Sequence, residues 1–318
     1  MNANKIGLQK ISDFFELGKI RKSRGFSKGL VSGSLKLETD RGKYVIKFAE
    51  RYNDRKKKRL LLQFKILDYL SKRKFPYDLP SPIRGRSGAF LMIFGSRVVW
   101  AYRYLDGKTK RKLTGKEFRE LARLVATYHK YVEKFRVGKI NLTRDSNWIV
   151  HEIDKTSKKR PKNKTDRLYL RNCELIKAII KKSNIYCRER MIYTHSDFNP
   201  SNILYKNGKI TGILDFDNVA EGPRAKDVAG AVRGAGYPDP WSKTKEKQFL
   251  GEYEKILPLT KKEKDTILPL LIRELAINFW WLYSRLDKNS NAKYALMIKT
   301  LNQLNNVVKK SKAYSGQN

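Results

Sequence analysis

Cysteine and histidine are scarce in this chain, with two cysteines and three histidines in 318 residues. Cys173 and Cys187 stand in no metal-binding spacing, which leads us to expect a reducing, cytoplasmic compartment. With His129, His151 and His195 alone, a histidine-rich metal site is excluded too. Long apolar runs are also missing. Met1 to Arg24 has no apolar stretch and no small-residue cleavage site, so it does not read as a signal peptide. The most apolar late segment, Ile267 to Leu286, contains Arg273, Glu274 and Asn278. Its charge-free core, Leu275 to Ser284, is too short to span a bilayer and reads as a buried helix, so no transmembrane segment is expected. Neither glycine-rich phosphate loop, G-x-G-x-x-G or G-x-x-x-x-G-K-[ST], occurs.

Acidic residues are the last shortage: 31 against 70 basic ones, for a net charge of +39. Basic clusters stand at Arg55 to Arg59, Lys108 to Lys116 and Lys155 to Lys164, but no nucleic-acid-binding motif accompanies them. We read them as a solvated basic surface, with nucleic acid bound only weakly, non-specifically and in a salt-sensitive way. Hydrophobic residues make up 40% of the chain, enough for one large or two medium domains with real cores.

Periodicity divides the chain. Lys5 to Ile20 carries a helical apolar face, and two β-like runs, Gly29 to Thr39 and Lys43 to Phe48, join at Asp40-Arg41-Gly42. Asn53 to Arg73 has apolar residues at helical spacing and stops before the prolines that begin at Pro76. Ala89 to Phe94 and Arg97 to Leu105 read as two further strands. From there the chain becomes helical: Thr114 to Phe135, Leu168 to Ile185, and Ala225 onward apart from Gly234 to Pro240. The basic stretch Asp154 to Arg167 reads as a loop. Met191 to Leu204 and Lys209 to Phe216 read as strands around a Lys206-Asn207-Gly208 turn. We expect a small α+β domain over 1–101 and a larger, mainly helical one over 102–318.

The chemistry concentrates in Thr194-His195-Ser196-Asp197-Phe198-Asn199-Pro200-Ser201-Asn202, followed by Asp215-Phe216-Asp217 at the end of an apolar strand. His-x-Asp, an Asn five residues after that Asp, and a later Asp are what phosphoryl transfer on a kinase fold requires. Asp197 would orient and deprotonate a hydroxyl, while His195 supports its loop. Asn202 and Asp215 supply hard oxygen ligands to Mg on the phosphates of ATP. Lys47, ending the apolar run Tyr44-Val45-Ile46, would neutralise the α- and β-phosphates. Ser32 and Gly33, in the small-residue turn Ser27 to Gly33, would let the backbone approach phosphate closely. The helix 53–73 offers Lys47 no acid between Arg55 and Lys65, and Gln63 is the nearest polar candidate. Asp217 reads as a second metal contact or a cap of the next turn. His129 and Asp227 read as structural, and Trp280 and Trp281 as core.

These motifs, with Phe15-Glu16-Leu17-Gly18, Tyr104-Leu105-Asp106-Gly107 and Gly222-Pro223, make the chain resemble the aminoglycoside phosphotransferase/choline kinase superfamily. The likeness is strongest to the branch of type II homoserine kinases and spore-coat kinase-like proteins. It covers nearly the whole chain at motif level. The resemblance implies a two-lobed, protein-kinase-like α+β fold, with an antiparallel-sheet N-lobe and a larger helical C-lobe. It further implies an ATP- and Mg-dependent kinase acting on a small-molecule hydroxyl acceptor: an amino alcohol such as homoserine or choline, an aminoglycoside, or a sugar. Tyr102 to Asp106, including Tyr104 and Asp106, would receive adenine. Family members usually have His-Gly-Asp where this chain has Ser196, and Ser adopts φ > 0 only at a cost, so the loop is expected to differ slightly there. Two readings compete with a small-molecule kinase: an atypical protein Ser/Thr kinase, and a non-catalytic kinase-like binding protein. Oligomeric state is not legible.

Overall fold

The computed structural model describes residues 3–25, 33–50, 53–94, 97–138, 146–188, 190–235, 241–285 and 291–311. Its backbone forms two compact units. One comprises Met1–Thr109, Arg136–Ile140 and Ile203–Asp217; the other comprises Lys110–Phe135, Asn141–Asn202 and Asn218–Asn318.

The first unit begins with α1 (Ala3–Phe14), β1 (Ile20–Gly25), β2 (Gly33–Thr39), β3 (Gly42–Glu50), α2 (Asp54–Lys72), β4 (Met92–Phe94) and β5 (Arg97–Arg103). The strands form one antiparallel sheet in the order β1-β2-β3-β5-β4. β1 escaped the periodicity reading because Ile-Arg-Lys-Ser-Arg-Gly has no apolar alternation. It is an exposed edge strand held by backbone pairing to β2. Both faces of the sheet are covered. Leu37, Tyr44, Ile46, Val99 and Ala101 pack with Ile11, Phe15 and Leu17 on one side. Ala49, Val98 and Trp100 pack with Leu60 and Phe64 of α2 on the other. The alternation of strand side chains therefore puts Lys47 on the α2 side, between Val45 and Ala49. The side chain of Asn53 caps α2 by accepting the Lys56 N–H.

The second unit opens with α3 (Gly115–Val132), α4 (Ser146–Ser157), α5 (Lys164–Lys182) and β6 (Met191–Thr194). The chain then returns to the first unit as the hairpin β7 (Ile203–Lys206) and β8 (Lys209–Ile213). Asn207 and Gly208 both take positive φ, 51° and 72°, the mirror-image turn that a two-residue hairpin favours. β9 (Ala220–Pro223), α6 (Arg224–Ala235), α7 (Lys243–Tyr253), α8 (Lys261–Arg285) and α9 (Asn291–Lys309) complete the second unit, and β9 pairs antiparallel with β6. The expected basic loop is shorter than its composition suggested. α4 runs to Ser157 on a buried face of Ile149, Val150 and Ile153, and α5 starts at Lys164 with Asn163 as its cap. α8 contains the late apolar run, with Leu275, Ala276, Phe279 and Trp280 buried. Among the described residues, no helix is long and apolar enough to cross a membrane.

A buried ion pair fixes where α6 begins. Arg224 donates from Nε and Nη2 to Glu263, and Nη2 also reaches the Pro258 carbonyl at 2.7 Å. Glu263 in turn caps α8, accepting the Thr260 N–H at 2.8 Å. Burial pushes the Glu263 carboxyl up, but Arg224 and the Thr260 N–H more than offset this and hold it below its usual value of 4.5. Replacing Glu263→Gln leaves Arg224 buried without a counter-charge and is expected to cost about 3–5 kcal/mol at pH 7, measured by urea denaturation. Arg224→Met combined with Glu263→Met should recover most of that loss. Because the folded carboxyl is depressed, its contribution is full above pH 4.5 and is lost as pH falls through the lower folded value. Wild type and Glu263→Gln should therefore converge on the acid side, and a gap that stays constant on acidification would contradict this assignment.

Candidate active site

Lys47 sits in the middle of the first unit's sheet, opposite Ser34 on β2 and Trp100 on β5. Its ammonium lies 3.0 Å from Asp215 Oδ1 and 3.3 Å from Asp217 Oδ1, and 5.9 Å from the centre of the Trp100 ring. Burial works against the charge, but Asp217 and Asp215 outweigh it and raise the lysine above its usual range. Burial also pushes the neighbouring Tyr102 phenol up to about 12, so it stays neutral at physiological pH. Both aspartates lie beyond the end of the strand. β8 ends at Ile213, Asp215 turns with φ 61°, and Phe216–Asn218 forms a single 3-10 turn. A left-handed turn, which Asp tolerates better than most residues, aims both carboxylates at one lysine.

The acid sought on α2 is replaced by this pair. Among the described residues, the hydrogen bonds of Lys47 go to Asp215 and Asp217, and Gln63 is buried on α2 without one to it. The first turn of α2 instead brings another cation. Burial lowers the Lys56 ammonium, Asp217 opposes that effect, and its Nζ lies 5.8 Å from the Trp100 ring centre. Gly33 begins β2 opposite Phe48, where an added Cβ would come within 2.8 Å of the Phe48 ring. Ser32 lies outside the described residues. Tyr104 donates its backbone N–H to the Lys43 carbonyl at 2.9 Å, and the exposed Asp106 accepts from Thr211 Oγ1 through its carbonyl at 3.5 Å.

In the second unit the His195–Asn202 loop leaves β6 and is clamped by a buried carboxylate. Asp227, on the first turn of α6, accepts the backbone N–H groups of His195 at 2.8 Å and Ser196 at 2.7 Å. His129 Nε2 lies 3.1 Å from the same carboxylate, and Nδ1 lies 2.7 Å from the Tyr253 hydroxyl. Burial pushes the Asp227 carboxyl up, but the His129 hydrogen bond, both nearby imidazoles and the Ser196 N–H hold it below its usual value. An ionised Asp227 only accepts, so Nε2 of His129 carries the proton and the Tyr253 hydroxyl donates to Nδ1. Ser196 takes φ 63°, the left-handed conformation glycine would supply, and its Oγ lies 2.8 Å from Thr194 Oγ1.

The His195 ring is fully buried, stacked on Phe198 at 4.6 Å and edge-on to Tyr128 at 6.2 Å. Asp197 is half-buried; Asn199 donates to its carboxylate, and Asn202 Nδ2 donates to its backbone carbonyl at 3.1 Å. Holding the amide nitrogen in this way turns Oδ1 of Asn202 away as a hard oxygen donor. The structure thus gathers Lys47 and Asp215 in one unit and His195, Asp197 and Asn202 in the other. Sequence reasoning missed Asp217 as a lysine partner, Lys56, Trp100 and the clamping role of Asp227. The legible signal for Asp227 was an acid amid Ala225, Val228, Ala229 and Val232, a setting that demands partners.

Residues 24–259 match the model of the phosphotransferase enzyme family. A homoserine kinase of Caulobacter vibrioides is 26% identical over 278 residues, 86% of this chain and 84% of the relative. A homoserine kinase of Sinorhizobium fredii is 23% identical over 274 residues, 84% of this chain and 79% of the relative. Among solved structures, an amicoumacin kinase in complex with AMP-PNP and Ca2+ superposes with TM-score 0.72 at 15% identity, covering 96% of this chain and 94% of that one. A spectinomycin phosphotransferase in complex with ADP gives TM-score 0.66 at 15% identity, covering 96% and 98%. These likenesses show a two-lobed, protein-kinase-like fold with a small antiparallel N-lobe sheet and a larger helical C-lobe. With the family model matched over most of its length, the chain belongs to the phosphotransferase enzyme family, on a branch related to homoserine kinases.

Proposed function

We propose that this chain is an ATP- and Mg-dependent kinase that transfers the γ-phosphate to a hydroxyl of a small molecule. The observation that carries the reading is Lys47 anchored mid-sheet on Asp215 and Asp217. It pairs a point charge suited to α- and β-phosphates with a carboxylate suited to their metal ion. The nucleotides bound by the solved relatives support the same cosubstrate.

The donor set fits magnesium. Asp215 is 40% exposed and Asn202 presents an amide oxygen, both hard ligands. Among the described residues, no group of three or more His, Cys, Asp or Glu forms a ready-made cage, which suits an ion that takes most ligands from phosphate and water. When bound, magnesium would neutralise charge building on the phosphates.

Asp197 holds the acceptor hydroxyl and takes its proton as the new oxygen–phosphorus bond forms. The bond from the γ-phosphorus to the bridging oxygen breaks, and ADP leaves with that electron pair. A carboxylate is a weak base at neutral pH, so the larger contribution of Asp197 is orientation. Asn199 fixes its carboxylate, and His195 acts by packing under the loop. With the Tyr104 N–H engaged, adenine would be received by the other backbone groups of 102–106.

Phosphate transfer from Mg-ATP is to be followed against homoserine, choline, aminoglycosides and sugars. Asp197→Asn is expected to lower kcat by about 10²–10⁴-fold while nucleotide binding persists. ATP binding with no transfer to any of these acceptors would support a non-catalytic binding protein instead, and transfer onto protein would support a protein kinase. Lys47→Met should weaken ATP binding by about tenfold or more, read by calorimetry, because the phosphates lose a charged partner. Unchanged affinity would remove Lys47 from the nucleotide site.

A further inference from the structure

α6 turns one face toward the Asp197 loop. Lys226, Gly230 and Arg233 recur at four and three residues, so they lie along one side of the helix. Lys226 Nζ lies 3.4 Å from Ser196 Oγ, beside the proposed catalytic aspartate. At the other end, a Cβ added to Gly234 would come within 2.5 Å of Asn199 Oδ1, so this turn of α6 abuts the loop directly. Between the two cations, Gly230 is half-buried, yet a Cβ there would meet nothing within 4 Å. The face therefore borders an open space.

Charges around that space are unequal. Glu274 of α8 is the carboxylate these cations face, lying 3.8 Å from Lys226 Nζ and 3.4 Å from Arg273 Nη1. Arg273 is buried and also donates from Nη2 to Ser146 Oγ at 3.1 Å. Arg233 makes no hydrogen bond or ion pair among the described residues. Its surroundings disfavour the charge: burial lowers the guanidinium from its usual range, against a weaker pull from Glu274 and Asp197. Arg233 is half-buried, and a partly desolvated guanidinium gains from a ligand that brings it a negative partner. An all-cationic acceptor would place further positive charge against three existing cations.

We propose that the space over Gly230 receives a carboxylate of the acceptor on Arg233 and Lys226, making the acceptor a hydroxy acid or hydroxy amino acid. Arg233 is then a specificity-determining residue. Glu274 is placed to take an ammonium if the acceptor has one. This rests on the phosphotransferase reading for the position of the hydroxyl at Asp197, but not for the binding of the carboxylate.

The test compares L-homoserine, 4-hydroxybutyrate (no ammonium), 3-amino-1-propanol (no carboxylate) and glycerol 3-phosphate (a phosphate instead). Each is measured for binding by calorimetry with Mg-ADP present and for turnover with Mg-ATP. The two carboxylate-bearing alcohols should bind, and Arg233→Met should lower the kcat/KM ratio of L-homoserine to 3-amino-1-propanol by about 30-fold or more. Gly230→Leu replaces a poor helix former with a good one, so folding is not threatened, and it should abolish L-homoserine binding by filling the space. Equal losses for both acceptors in Arg233→Met would overturn the inference and assign Arg233 to the transferred phosphoryl group. Preference for glycerol 3-phosphate or 3-amino-1-propanol, or no binding of either carboxylate-bearing alcohol, would overturn it as well. Arg233-dependent binding of L-homoserine without any turnover would support the pocket and defeat only the kinase reading.

Discussion

A carboxylate taken out of water must have its lone pairs filled, and Asp227 meets that demand with the backbone of the loop that carries Asp197. Two consecutive N–H groups and an imidazole converge on it inside the second unit. Charge-assisted hydrogen bonds contribute about 1.5–3 kcal/mol each. That exceeds the roughly 1–2 kcal/mol that a left-handed conformation costs a residue with a Cβ. Ser196 can therefore hold φ 63° without being glycine, in a loop whose backbone is clamped on Asp227. The network also extends outward. His129 leads to Tyr253, Tyr253 to Arg224, and Arg224 to Glu263 at the start of α8. Four helices, α3, α6, α7 and α8, are thereby locked to one loop, so the loop's shape is a property of the whole helical unit.

The first unit solves a different electrostatic problem. A lysine largely withdrawn from water on the α2 face of the sheet needs negative charge nearby, and kinase folds commonly draw it from the neighbouring helix. Here that helix begins Asp54-Arg55-Lys56-Lys57-Lys58-Arg59 and brings cations. The turn after β8 compensates by supplying two carboxylates, Asp215 and Asp217, to a single ammonium. Lys56 also senses Asp217, and the Lys47 and Lys56 ammoniums both lie near the Trp100 ring. The arrangement holds opposite charges ready beside each other, so that under the proposed function an incoming phosphate and metal would exchange partners and would not meet bare charge.

Much of this was legible. The spacing of His195, Asp197, Asn202 and Asp215 reports local geometry of a loop and a hairpin, and local geometry is what short motifs encode. Amphipathic helices such as α2 and α3 were legible because apolar periodicity runs their whole length, and Asn53 and Thr114 cap their starts. What escaped depends on tertiary contact. β1 has a polar sequence and exists through its pairing partner. Asp217 and Lys47 are 170 residues apart, and no local pattern joins them. His129 and Asp227 each looked structural alone; only the fold shows that their contact ends on the backbone of the Asp197 loop.

Composition sharpens how the remaining charges are read. With 70 basic and 31 acidic residues, most cations have no acid to pair with, and at the surface that carries no information because water solvates them. Burial changes the inference. Glu117, Glu252 and Glu263 are each buried and each engaged by a cation: Lys110, Arg123 and Arg224. α6 holds two arginines in contrasting states. Arg224 is saturated by Glu263 and the Pro258 carbonyl, and its charge is stabilised despite burial. Arg233, on the same helix, is half-buried with no such hydrogen-bonded acid among the described residues, and burial pulls its charge down. Among the described residues, a half-buried guanidinium without a hydrogen-bonded acid stands beside an open space, and that asymmetry is what the proposed carboxylate of the acceptor would complete.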